Sequence, residues 1–142
     1  MELCNVELWH TRARPEVDDR AFNVQLGCHI EEIVEMFQSL DLHWQWNNVI
    51  EELEVLSKRL KEGDSIAAIK DRKAFLDSLA DQIVTSVGVG VCARMKVADA
   101  VAEVNRSNWS KFDQETGLPL FSPFGKILKG PNYSKPNLEG LY

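Results

Sequence analysis

Glu31, Glu32 and Glu35 in the run EEIVE, and Asp77 and Asp81 in the run DSLAD, are the side chains of this sequence best suited to chemistry. A helix turns by about 100° per residue, so Glu31 and Glu35 fall about 40° apart around its axis, Glu32 and Glu35 about 60°, and Asp77 and Asp81 about 40°. Carboxylates gathered on half-apolar helix faces repel one another and are costly to desolvate, and a divalent cation is the usual compensation. Oxygen-only donors favour Mg²⁺, with Mn²⁺ as a substitute, and such ions serve attack by water on a phosphate-bearing substrate. Ile30, Ile33, Val34 and Phe37 surround the first set, which predicts that at least one of its carboxylates is partly buried. Asp81 stands between Leu79, Ile83 and Val84, and Asp is a poor residue for a helix interior. The cluster Glu51, Glu52 and Glu54 is read as a solvated face. Spacing alone leaves a metal site and a solvated acidic face open for the first two clusters as well.

The elements that must position these groups are helical. Phe22, Leu26, Ile30, Ile33, Val34, Phe37 and Leu40 recur at steps of three or four and predict an amphipathic helix from Ala21 to about Leu40. A second helix is predicted from about Trp44 to Leu60, ended by Gly63, with Asp64 or Ser65 starting a short continuation through Ile66 and Ile69. The third, about Asp71 to Met95, is nearly apolar all round after Gln82, which predicts the central helix of a bundle, with Gly88 and Gly90 admitting close approach by another helix or subunit. The fourth spans about Val97 to Trp109. Met1 to about Asp19 reads as irregular or extended. Beyond Lys111, four prolines exclude a long helix, Asp113 to Gly117 reads as a turn, and Leu120-Phe121 with Ile127-Leu128 could flank a short hairpin. The expectation is a single all-α domain over residues 1–142: a four- to five-helix bundle, its helical core at about 21–110, with an irregular C-terminal arm at about 111–142.

Composition narrows the function classes. At 142 residues, 44% hydrophobic and 27% charged, the chain has the make-up of an ordinary soluble domain. A net charge of −6 argues against non-specific binding to nucleic acid or an anionic membrane, and so against reading Lys126, Lys129, Lys135 and Tyr133 as a nucleic-acid contact. Cys4, Cys28 and Cys92 form no CxxC pair and are read as free, buried thiols of a cytoplasmic protein. Met1 to Arg14 has no apolar core of a signal peptide, and the apolar run Ile83 to Ala93 is too short to cross a bilayer. His10, His29 and His43 share no metal-ligand spacing, and neither a Walker loop nor a Ser-His-Asp arrangement is present.

With its EEIVE motif, the upstream Phe22-Asn23 and Gln25, and the later segment DSLADQIVTSVG, the chain resembles the all-α nucleoside triphosphate pyrophosphohydrolases, which include MazG-like proteins, phosphoribosyl-ATP pyrophosphohydrolases and dimeric dUTPases. Asn105 to Lys111 resembles the NMSK element of a subgroup, with Trp109 in place of Met, and Gly125 to Tyr133 resembles its GKxxKGPNY arm. The departure is Ser78, where many members carry Glu; Asp77, one residue earlier, matches a variant pattern. The resemblance spans about Phe22 to Pro136.

The resemblance implies cleavage of a nucleoside or deoxynucleoside triphosphate to monophosphate and pyrophosphate, in sanitation or control of the nucleotide pool. It implies Mg²⁺ held by Glu32, Glu35 and Asp81 with Asp77 as fourth ligand, and Glu31 orienting or deprotonating the attacking water. Lys111, Lys126 and Lys129 would neutralise phosphate charge, and Gln25 and Asn108, with Tyr133 in the arm, would bind the nucleotide. It also implies a homodimer or homotetramer whose subunits complete the pocket. The alternatives are a non-catalytic helical interaction protein on the same fold, which Ser78 keeps open, and phosphoribosyl-ATP hydrolysis.

Overall fold

Asp18 starts the first long helix: its backbone is extended and its carboxylate accepts from the Ala21 amide at 2.6 Å, satisfying one of the donors a helix start leaves over. Asp71 does the same for a later helix through the Ala74 amide at 3.0 Å. In the computed structural model, which describes residues 2–142, the order is α1 (Glu2–Ala13), α2 (Asp19–Gln38), a 3-10 turn (Trp44–Trp46), α3 (Asn47–Glu62), α4 (Arg72–Cys92) and α5 (Val97–Trp109). The all-α class is as expected; among the described residues β-pairing is limited to the bridges Phe112–Pro119 and Phe121–Ile127. The chain forms two compact units, one of Glu16–Ala68 with Phe121–Ile127, the other of the chain up to Pro15, Ile69–Leu120 and Leu128–Tyr142.

In the first of these, α2 and α3 pack along each other over Val24, Val34 and Leu60, with Val24 fully enclosed. Gly27 is what lets them come close. A methyl group there would lie 2.8 Å from the Ser57 carbonyl and 2.7 Å from Lys61 Cγ. Ser57 Oγ donates to the Gly27 carbonyl at 2.8 Å, a buried polar contact that fixes the two helices in register. Gly27→Ala is therefore expected to push α3 away and cost about 1–3 kcal/mol, the range for overpacking, read from a chemical or thermal melt. No loss of stability would show that the helices have slack at this crossing.

Gly63 ends α3 in the left-handed conformation, at φ 89°, as its position predicts. The helix expected through Ile66 and Ile69 is absent. Buried Asn23 explains this: its Oδ1 accepts from the Ala67 amide at 2.6 Å and its Nδ2 donates to the Ala67 carbonyl at 3.2 Å. Those two bonds take both backbone groups of Ala67 out of any local helix. The expected hairpin is present in residues 120–128, with Leu128 N donating to Leu120 O at 2.8 Å and Gly125 at φ 86° in its turn.

In the other unit, residues 2–13 form α1 instead of the irregular segment expected up to Asp19; Met1 lies outside the described residues. The stripe is short, but Trp9 and Ala13 bury against α5 and Phe112, with the Trp9 and Phe112 rings edge-on at 6.0 Å. Tertiary packing thus supplies what a weak local pattern lacks. The C-terminal residues run along α5: Ser107 Oγ donates to Ser134 O, Arg106 to Lys135 O, and Lys96 N to Leu141 O.

Helix α4 departs most from expectation. It packs on α5 alone among the helices of its unit, and Gly90 is its one buried residue. A methyl group at Gly90 would collide with Val97 Cγ2, so this glycine serves the close approach of α5. Gly88 has no atom within 4 Å of where its Cβ would stand. Leu76 is 69% exposed, Val84 68% and Val91 67%, so the helix is not the core of a bundle within one chain. By length and composition alone its 21 residues suffice to cross a membrane, beyond what the run Ile83–Ala93 indicated. Asp77 and Asp81 lie in that stretch, and carboxylates are costly in hydrocarbon.

Candidate functional site

The structure divides the expected site residues between the two units. Gln25, Glu31, Glu32, Glu35 and Lys126 belong to the α2–α3 unit; Asp77, Asp81, Asn108, Lys111, Lys129 and Tyr133 belong to the other. Among the described residues, no three His, Cys, Asp or Glu side chains stand together in a way that could hold a metal ion. Glu32 and Glu35 are exposed on α2, one turn apart, and Asp77 and Asp81 are exposed on α4, one turn apart. Asp81 is thus not buried between its apolar neighbours, because those neighbours are themselves uncovered: Ile83 is 45% exposed and Val84 68%. The donor chemistry of each pair fits a hard cation such as Mg²⁺, which takes a few carboxylates and keeps its remaining places for water. The three cysteines are free, as expected, but Cys4 and Cys92 are exposed and Cys28 half-buried.

Glu31 is the partly buried carboxylate. Each of its oxygens carries a lysine: Lys61 Nζ lies 2.7 Å from Oε1 and Lys126 Nζ 2.6 Å from Oε2. Burial alone would push the Glu31 carboxyl up; the hydrogen bonds and charges of Lys126 and Lys61 outweigh it and hold the group below its ordinary value. Lys126 is held above its ordinary value, burial being outweighed by its bond to Glu31. A carboxylate so clamped is a weak base, which turns Glu31 from proton acceptor towards positioning. Lys61 was not foreseen. The available signal was Gly27, one turn before Glu31, an opening through which a long stem on α3 passes to reach it.

The clamp has a pH signature. The folded pKa of Glu31 is depressed from 4.5, so its contribution to stability is present above that value and lost as pH falls through the lower folded value. The stability gap between the wild-type chain and Glu31→Gln is therefore expected to be widest near neutrality and to close in acid, as read from denaturant melts across pH. A gap that is constant with pH would mean the two ion pairs are broken in solution.

The lysines of the other unit are placed on rings. Lys111 Nζ stands 5.7 Å from the Trp9 ring centroid and Lys129 Nζ 5.1 Å from that of Tyr133. Gly130 passes so near Lys111 that a methyl group would lie 2.9 Å from the Lys111 carbonyl, which brings the Lys129–Tyr133 segment beside Lys111. Asn108 is half-buried at the end of α5, and Gln25 is exposed on α2. Comparison with protein-family models, with curated proteins and with solved structures gives no match.

Proposed function

We propose that this chain is a Mg²⁺-dependent nucleotide pyrophosphohydrolase that cleaves a nucleoside or deoxynucleoside triphosphate to monophosphate and pyrophosphate, in sanitation or control of the nucleotide pool. The observation that carries the reading is the pair of exposed carboxylate couples at one-turn spacing, Glu32 with Glu35 and Asp77 with Asp81, alongside a lysine already engaged with an anion at Glu31. In this reading Glu32 with Glu35, and Asp77 with Asp81, are the carboxylates that would bind metal, which when bound would polarise the phosphate and lower the pKa of an attacking water. Glu31 positions, Lys111, Lys126 and Lys129 bind phosphate oxygens, and Gln25, Asn108 and Tyr133 contact the rest of the nucleotide. The active form is a homodimer or homotetramer in which α4 is covered by other copies, and the site of action is the cytoplasm.

The test is pyrophosphate release from canonical and damaged nucleoside triphosphates with Mg²⁺, with Mn²⁺ as the alternative ion. Release that needs the metal supports the reading, and the preferred base follows from the panel; phosphoribosyl-ATP belongs in it as a competing substrate. One observation favours a second reading, a non-catalytic interaction protein: the uncovered apolar length of α4, together with Ser78 in its acidic run. No release, and no rise in melting temperature with Mg²⁺, would favour that second reading, because a metal that binds only the folded state must stabilise it.

A further inference from the structure

Two ammonium groups share one carboxylate in the α2–α3 unit, and they are held in unequal ways. Lys61 is on a helix, its side chain 18% exposed, its stem laid over Gly27 and its own carbonyl tied by Arg20 Nη2 at 2.7 Å. Lys126 is on the 120–128 hairpin, its side chain 46% exposed. Besides its bond to Glu31, that hairpin has a long hydrogen bond from Arg20 Nη2 to the Phe124 carbonyl, at 3.3 Å. Each lysine takes a different oxygen of Glu31, so one can leave without disturbing the other. Glu31 shares its charge between the two ammonium groups, and Glu32 also acts on Lys126 through space, so the more exposed hairpin lysine is the one of the two that a further anion can reach.

We propose that the Lys61–Glu31–Lys126 cluster is an exchangeable anion seat, in which Lys126 passes from Glu31 to a polyphosphate group while Lys61 stays behind as the positioning residue that keeps Glu31 in place. The proposal rests on the nucleotide reading for its substrate class and extends it to a residue of α3 that the reading did not include. Glu31 and the ligand compete for Lys126. Lys61 weakens the hold of Glu31 on Lys126 by sharing its charge, and so favours the exchange without touching the ligand.

The competition fixes the signs of an experiment that needs no hydrolysis. Inorganic triphosphate is titrated calorimetrically into the metal-free chain. Lys126→Met is expected to weaken binding by about tenfold, the loss of a charge-assisted contact. Glu31→Gln removes the competitor and is expected to strengthen binding severalfold. Lys61→Met leaves the whole charge of Glu31 to Lys126 and is expected to weaken binding severalfold, while Lys61→Arg keeps it near wild type and guards against a fold defect. In the double variant Lys61→Met with Glu31→Gln, the weakening disappears. No triphosphate binding by the wild-type chain, binding unchanged or weakened by Glu31→Gln, or a Lys61→Met loss that persists in the double variant overturns the proposal. Nucleotide hydrolysis without this pattern of signs overturns the seat alone; the pattern without hydrolysis leaves the seat and removes the pyrophosphohydrolase reading.

Discussion

A Glu35→Gln chain is expected to release pyrophosphate at least about a hundredfold more slowly than wild type, with its folding intact. The amide keeps the size and hydrogen-bonding shape of the carboxylate and removes only the charge. Groups that stabilise charge at a reacting phosphate are typically worth roughly a hundred- to a thousandfold in rate. Glu35 is exposed on α2, so the substitution should change stability by no more than about 0.5 kcal/mol. The same holds for Asp81→Asn on α4. The second readout is the melting temperature: a Mg²⁺-dependent rise in the wild-type chain should shrink in both variants. If Glu35→Gln and Asp81→Asn lose activity but keep the full rise, these carboxylates act on substrate and not on metal. If neither activity nor the rise changes, the EEIVE and DSLAD clusters are solvated faces.

The second large effect concerns assembly. The chain is expected to run in solution at two or four times its 16.1 kDa, and Val84→Glu with Val91→Glu should return it to a single copy, as read by light scattering. Both valines are about two-thirds exposed, and with Leu76, Ile83 and Val89 they give α4 the uncovered apolar surface that marks an interaction site. Gly88 adds a place on that helix where another backbone can approach. If partner subunits complete the pocket, the double variant also loses activity, although neither valine is a ligand. A wild-type mass of one copy would sink this expectation and return α4 to the membrane or to a partner of another kind.

Helices with a clean apolar stripe and a good stop were legible in the sequence. The bounds of α5 agree with the reading to the residue, and Gly63 ends the helix it was expected to end. The hairpin was legible from paired apolar residues around a Gly turn. What was hidden depends on partners distant along the chain. Helix α1 is stabilised by Phe112 and α5, and the Ile66 segment is unwound by Asn23, neither of which a local window registers. The apolar pattern of α4 states that the helix must be covered and not by what, so a core position was inferred where a surface is found. For the candidate site, the one-turn spacing of Glu32 with Glu35 and of Asp77 with Asp81 was readable, and the burial of Glu31 was anticipated as a class. Its partner Lys61 was not, because a contact across 30 residues depends on how α3 lies on α2.

The two lysines that hold Glu31 reach it at different moments in the life of the chain. Lys61 follows it by 30 residues and Lys126 by 95. At about 5–20 residues per second of synthesis, α2 and α3 have several seconds together before the hairpin leaves the ribosome. During that interval Lys61 is the one of the two lysines already available to Glu31, and the helix pair is expected to form before the hairpin closes on it. Slowing translation between codons 63 and 120 should therefore leave this protein's yield intact, whereas a ribosome stalled at 120 displays α2 and α3 without the segment that supplies Lys126.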